Sequence, residues 1–154
     1  SLGDAEVLLR VRAVGLNFRD VLNVLGEYPG DPGPPGCDAA GVVGESPLLP
    51  HSTFGLGHAP LASVAIAATP FLANKPSALS FEQACTLPVT WSTTHAAVER
   101  AGLCAGHAMV VQAAAGGVGL KAVEYAQWLQ IGGTGHYRGR FVHIDSGDQR
   151  VWFG

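Results

Sequence analysis

Between Met109 and Leu129 the periodicity of the chain changes across a run of small residues, and few folds accommodate such a change. Met109-Val-Val-Gln-Ala113 reads as a short strand, and from about Val118 to Leu129 the pattern is that of an amphipathic helix. The joint is Ala113-Ala-Ala-Gly116-Gly-Val-Gly119, of the form A-x-x-G-x-x-G. Small residues at a strand-to-helix turn let backbone approach a pyrophosphate closely, and the free N–H groups of the helix start can hold it. The string departs from G-x-G-x-x-G at its first position, and a tight turn that only packs is the alternative. A βα unit of this kind opens a nucleotide-binding sheet.

Upstream the pattern is different. Glu6–Val14 alternates apolar and polar residues, the period of a half-buried strand. Asn17–Leu25 changes to helical spacing with Phe18, Val21, Leu22 and Leu25 on one face, and Gly26 stops that helix. Tyr28-Pro-Gly-Asp-Pro-Gly-Pro-Pro-Gly36 is an irregular loop, and Ala39–Val43 and Ala62–Ala68 read as strands separated by a Pro/His/Gly-rich connection over 45–60. With 21 Gly and 10 Pro in 154 residues and only 14% charged side chains, such strands and loops suggest a small barrel. Ser80-Phe-Glu-Gln83 is a capping box, so a short helix starts there and ends before Pro88. A second runs from about Thr90 to Arg100, closed by Gly102. Trp91, Met109 and Trp128 are expected in the core, and Arg19 with Asp20 as a structural ion pair.

Charge and cysteine usage exclude several functions. A net charge of -3 without a basic cluster makes nucleic acid an unsuitable partner. Leu61–Ala73 is the most apolar stretch, contains Pro70 and falls short of the roughly 20 residues a bilayer requires, so no membrane association is expected. Cys37, Cys85 and Cys104 are widely spaced and odd in number, which fits reduced thiols in a cytoplasmic protein. The Ser1-Leu-Gly-Asp-Ala-Glu6 start has no Met or signal-peptide pattern and reads as a piece of a longer chain.

Three further strings carry a family resemblance: Val14-Gly-Leu-Asn-Phe-Arg-Asp-Val-Leu-Asn23, Gly26-Glu-Tyr-Pro-Gly-Asp-Pro-Gly-Pro-Pro-Gly36 and Thr86-Leu-Pro-Val89. With Gln112–Gly119 they resemble the medium-chain dehydrogenase/reductase superfamily. The closest resemblance is to the enoyl reductase domains of type I polyketide synthases and animal-type fatty acid synthases, and it covers about residues 5–130. It implies a mixed α+β and α/β chain: a GroES-like β-barrel over 1–88, the opening helix and βα unit of a truncated Rossmann domain over 89–130, and a tail over 131–154. Gly139-Arg-Phe-Val-His-Ile144 looks like a late strand of that family, which suggests an internal deletion joining Gln130 to this segment. An unrelated tail is the alternative.

The resemblance also implies chemistry. The zinc-dependent branch has a Cys where Asn17 stands and Gly-His-Glu where Gly36-Cys37-Asp38 stands, so no catalytic zinc is expected. The six His residues lack ligand spacing, and Cys37 beside Asp38 reads as inert because a neighbouring anion raises a thiol pKa. In the zinc-free enoyl and quinone reductases, hydride passes from NADPH to the β-carbon of an enoyl thioester, carried on an acyl carrier protein or CoA among neighbouring synthase domains. Tyr28 matches a tyrosine proposed there as proton donor to the α-carbon, with an aromatic anchor of the loop as the alternative. Asn17 could position a carbonyl or carboxamide, or serve as a helix N-cap. Cofactor contacts would come from Ala113, Gly116, Gly117, Val118 and Gly119, with Thr90 and Thr94 facing the nicotinamide. Since 35 residues follow Gly119 in a chain of 154 (154 less 119), the ribose and 2′-phosphate contacts have no counterpart, and weak NADPH binding is expected. A non-catalytic or degenerate synthase domain and a free-standing quinone oxidoreductase are the rival readings.

Overall fold

The alternation over Glu6–Val14 forms a strand, β1 (Glu6–Gly15), in a computed structural model that describes residues 3, 5–44, 51–131, 133–136, 141–145 and 151–153. The chain divides into two compact units, Ser1–Val89 and Thr90–Gly154.

In the first unit, β1 is followed by helix α1 (Phe18–Leu25), then β2 (Asp38–Val43), β3 (Ser52–Leu56), β4 (Val64–Ala68) and β5 (Leu72–Asn74). The strands form one antiparallel sheet in the order β4-β1-β2-β3-β5. Central β2 is covered on both faces. Ala39 and Val43 join Leu9, Ala67 and Leu72 in one cluster, while Ala40 meets Ala84 and Cys85 in another. A strand buried on both sides loses the polar half of its alternation, hence the near-continuous apolar Ala39–Val43. The capping box forms as expected: Ser80 N–H donates to Gln83 at 2.9 Å and Gln83 N–H to Ser80 Oγ at 3.2 Å, opening α2 (Phe81–Ala84).

Two expectations fail in this unit. The 45–60 connection holds β3, whose middle Gly55 disguises it; a Cβ there would fall on the Phe71 carbonyl oxygen, so the close approach of the chain before β5 requires glycine. Helix α1 does not bury its apolar face. Phe18, Val21 and Leu25 are 74%, 47% and 66% exposed, Leu22 is partly buried, and the residue that α1 buries is Asp20. Polar anchors to the following loop, described below, set its orientation.

The second unit carries α3 (Pro88–Ala101) from Thr90 onward, then β6 (Met109–Gln112), α4 (Gly117–Trp128), β7 (Gly133–His136), β8 (Phe141–Asp145) and β9 (Val151–Phe153). Gly102, at φ 61°, closes α3. Val111, Ala114, Val123, Ala126 and Ile131 form the core between β6 and α4. Met109 is partly buried and packs against this core as expected, whereas Trp128 is 70% exposed and Trp91 only partly buried, contrary to their expected core positions. Trp91 and Trp128 instead flank buried Tyr125, with ring centroids 5.4 and 5.3 Å away. The sheet order is β6-β8-β7-β9, with β8 antiparallel to both β6 and β7 and β9 parallel to β7. Thus β6 and β7 run the same way, as a crossover through α4 demands, but strand β8 lies between them. Strand β8, which holds most of the segment that resembles a late family strand, runs antiparallel to β6.

Candidate functional site

The first unit builds a polar cluster where β1 ends, α1 starts and β2 begins. Asn17 has extended backbone (φ -111°, ψ 161°) and takes the N-cap position of α1. Asp20 reaches back to it, its Oδ2 accepting the Asn17 N–H at 2.8 Å. Its Oδ1 accepts the Gly36 N–H at 2.8 Å and faces Arg19 Nη2 at 3.4 Å. Arg19 then donates to the Gly36 carbonyl at 3.0 Å and the Pro34 carbonyl at 3.4 Å, and Asn23 donates to the Gly33 carbonyl at 3.0 Å. A Pro/Gly-rich loop with few N–H groups of its own is thereby held by side chains of the preceding helix. Tyr28 sits partly buried in that loop, and its hydroxyl makes no hydrogen bond among the described residues.

Asp38, at the start of β2, is 2% exposed. Its Oδ2 accepts from Asn17 Nδ2 at 3.1 Å and its Oδ1 from the Val89 N–H at 2.9 Å. Burial pushes its carboxyl above the usual carboxylate range, against the two N–H donors, and the Asp20 charge adds to the rise. Asp20 goes the other way. Burial also opposes its charge, but the N–H groups of Asn17 and Gly36 together with Arg19 hold it below that range. The Cys37 thiol is pushed up by burial first and by Asp38 second, which suits the inert reading. The sequence names Asp38 only against a zinc-ligand motif and as the neighbour of Cys37, not as a site residue, although a lone charge opening an apolar strand is a legible signal.

In the second unit the chain turns sharply at the end of β6. Ala113 takes a left-handed φ of 50°, and its carbonyl accepts the Gly116 N–H at 2.9 Å. Gly119 lies against that turn. A Cβ on it would fall on the Ala113 carbonyl oxygen and within 2.7 Å of Ala114 Cα, so glycine is required for the helix to pass so close. Gly116, Gly117 and Val118 are exposed at the helix start, whose first turn bears no acidic side chain. Thr90 and Thr94 are buried in α3. The Thr94 hydroxyl donates to the Thr90 carbonyl at 2.8 Å, and a Cβ on Gly117 would meet the Thr90 methyl at 3.4 Å. The first unit thus pairs the expected Asn17 with Asp38, which was not expected at the site, and the second sets Thr90 against Gly117 of the Ala113–Gly119 turn. Among the described residues no three His, Cys, Asp or Glu side chains gather as a metal site, and no helix is long and apolar enough to cross a membrane.

No family model matches the chain. Individual proteins do. The spectinabilin polyketide synthase system protein NorB of Streptomyces orinoci is 43% identical over 135 residues, 83% of this chain. Among solved structures, the quinone oxidoreductase of Thermus thermophilus, determined also as its NADPH complex, is 36% identical with a TM-score of 0.70 over 84% of this chain. The CurK enoyl reductase is 32% identical with a TM-score of 0.69 over 82%. The chain's solved neighbours are enoyl reductases and quinone oxidoreductases of the medium-chain dehydrogenase/reductase superfamily. Its sequence homologues are type I polyketide synthase proteins, and its fold is the GroES-like and Rossmann-type combination in partial form. It spans 6% of the length of NorB and 44% of the quinone oxidoreductase and CurK chains. Among medium-chain dehydrogenase/reductase proteins, NADPH is thus a bound cofactor of a solved relative.

Proposed function

We propose that the chain is an enoyl-reductase module of a type I polyketide synthase, reducing the α,β double bond of an enoyl thioester held on an acyl carrier protein or CoA. Residues 1–88 form the substrate-side barrel, 89–130 the opening of the cofactor domain and 131–154 its tail. The observation that carries the reading is the turn at Ala113–Gly119: a strand ends in a left-handed residue, and an open, acid-free helix start follows. NADPH fits what this turn offers. The N–H groups of Gly117, Val118 and Gly119 would hold its pyrophosphate, and a Cβ on Gly116 would meet nothing nearer than the Ala113 carbonyl oxygen at 3.3 Å. Thr90 and Thr94 would shape the nicotinamide side.

When bound, NADPH supplies a hydride to the substrate β-carbon. The Asn17 amide would donate a hydrogen bond to the thioester carbonyl oxygen, which takes up the electron pair displaced from the double bond. Tyr28 Oη then gives its proton to the α-carbon, and the phenolate is reprotonated from water. The test is NADPH-dependent reduction of a crotonyl thioester by the chain, with Tyr28→Phe slowing the product-forming step. A chain that reduces quinones and leaves the thioester untouched would favour the quinone oxidoreductase reading. Complete inertness would favour a structural domain, the reading to which the antiparallel β8 beside β6 lends weight.

A further inference from the structure

The Asn17–Asp38 pair holds more information than a helix cap requires. Asp38 is a buried carboxylate whose partners among the described residues are two neutral N–H donors. Uncharged partners compensate a buried charge poorly, and a neutral side chain of the same shape would cost less. What the carboxylate does that a neutral group cannot is accept at both oxygens. One accepts from the Val89 backbone at 2.9 Å, so only a donor can face the other, and the Asn17 carboxamide is forced to present Nδ2 to it at 3.1 Å. The amide is planar. Fixing one Nδ2–H fixes the direction of the second, which has no partner among the described residues.

We infer that Asp38 is a positioning residue: it orients the Asn17 carboxamide so that its second N–H is offered to the carbonyl oxygen of the enoyl thioester. The inference rests on the function proposed above. The other role for the pair is structural, tying the start of α1 to the start of α3, and the two roles part under exchange. In Asp38→Asn, the new amide must turn either its nitrogen to the Val89 N–H or its nitrogen to Asn17, leaving a donor facing a donor or reversing the Asn17 amide. In the double exchange Asn17→Asp/Asp38→Asn, the new carboxylate accepts from the new amide, which still accepts from Val89 through its oxygen. The tie and the cap are restored, but position 17 has no N–H to offer.

The experiment is a titration of the ¹⁵N-labelled chain with the crotonyl thioester of N-acetylcysteamine. In the wild type the ligand should shift one of the two Asn17 side-chain protons. The exchanged pair should melt within about 2 °C of wild type and bind about tenfold more weakly, the equivalent of one lost hydrogen bond. Asp38→Asn should lose both stability and affinity. Wild-type affinity in the exchanged pair would overturn the positioning role while leaving the proposed function standing. If the exchanged pair does not fold, the wild-type spectrum decides: backbone shifts around the loop with an unmoved Asn17 side chain also overturn it. A wild type that shows no shift anywhere overturns the proposed function, and the positioning role with it.

Discussion

Replacing Asp20 by Asn tests whether polar anchors, rather than the apolar face of α1, hold the loop at Gly26–Gly36. The substitution keeps the shape of the side chain and removes its charge. One amide oxygen can still accept, but the NH₂ must face either the Asn17 or the Gly36 N–H, each now 2.8 Å from a carboxylate oxygen. Losing a hydrogen bond to a charged, buried acceptor and orphaning its donor costs about 3 kcal/mol, a large part of the roughly 5–15 kcal/mol that holds a domain together. All three tryptophans, at 91, 128 and 152, belong to the second unit, so intrinsic fluorescence would report on the wrong part of the chain. Amide hydrogen exchange over residues 29–37 is the suitable assay. Protection of the Gly36 amide should fall about a hundredfold at neutral pH. The loss should shrink in acid. Asp20 is held below the usual carboxylate range, so its contribution is present above that range and disappears as pH falls through the lowered value. Asp38 has the opposite sign: its raised carboxyl contributes stability at low pH that is lost as pH rises through the raised value. Because the Asp20 charge is one cause of that rise, Asp20→Asn lessens it as well. Unchanged protection of Gly36 at pH 7 would mean that apolar packing, not the Asp20 carboxylate, holds the loop.

Two substitutions probe the rest of the fold. Gly119→Ala places a Cβ on the Ala113 carbonyl oxygen and should destabilise the second unit by about 2 kcal/mol, visible as a lower melting midpoint by tryptophan fluorescence; an unchanged midpoint would mean the close approach is not required. Thr53→Val removes a fully buried hydroxyl that has no hydrogen-bond partner among the described residues and should stabilise the first unit by about 1 kcal/mol, measured by chemical denaturation with circular dichroism; a loss would show the hydroxyl is satisfied.

Local chemistry was legible where it dictates local geometry. Ser80 and Gln83 satisfy each other, Gly26 and Gly102 end their helices at φ 71° and 61°, and the Ala113–Gly119 turn lies between a strand and a helix. Tertiary context decided the remainder. The spacing of Phe18, Val21, Leu22 and Leu25 promises a buried face, but Asp20, Arg19 and Asn23 bind the proline-rich loop and turn the helix the other way. Gly55 hides β3 because the residue that weakens a strand pattern is also the one that close packing there requires. Strand β8 was visible in Phe141–Ile144, yet its direction was not, since alternation carries no sign. Within the candidate site, Asn17 followed from the motif, whereas Asp38 emerged only through its contacts across 21 and 51 residues of chain.

On the proposed function, the chain delivers a hydride from NADPH to the β-carbon of an enoyl thioester. Incubating the chain with a crotonyl thioester and NADPH deuterated at the transferring position, at millimolar concentrations to offset weak cofactor binding, tests it most directly. The expected product is butyryl thioester carrying one deuterium at the β-carbon, and Gly119→Ala should abolish its formation. A crotonyl thioester recovered unreduced at those concentrations would contradict it.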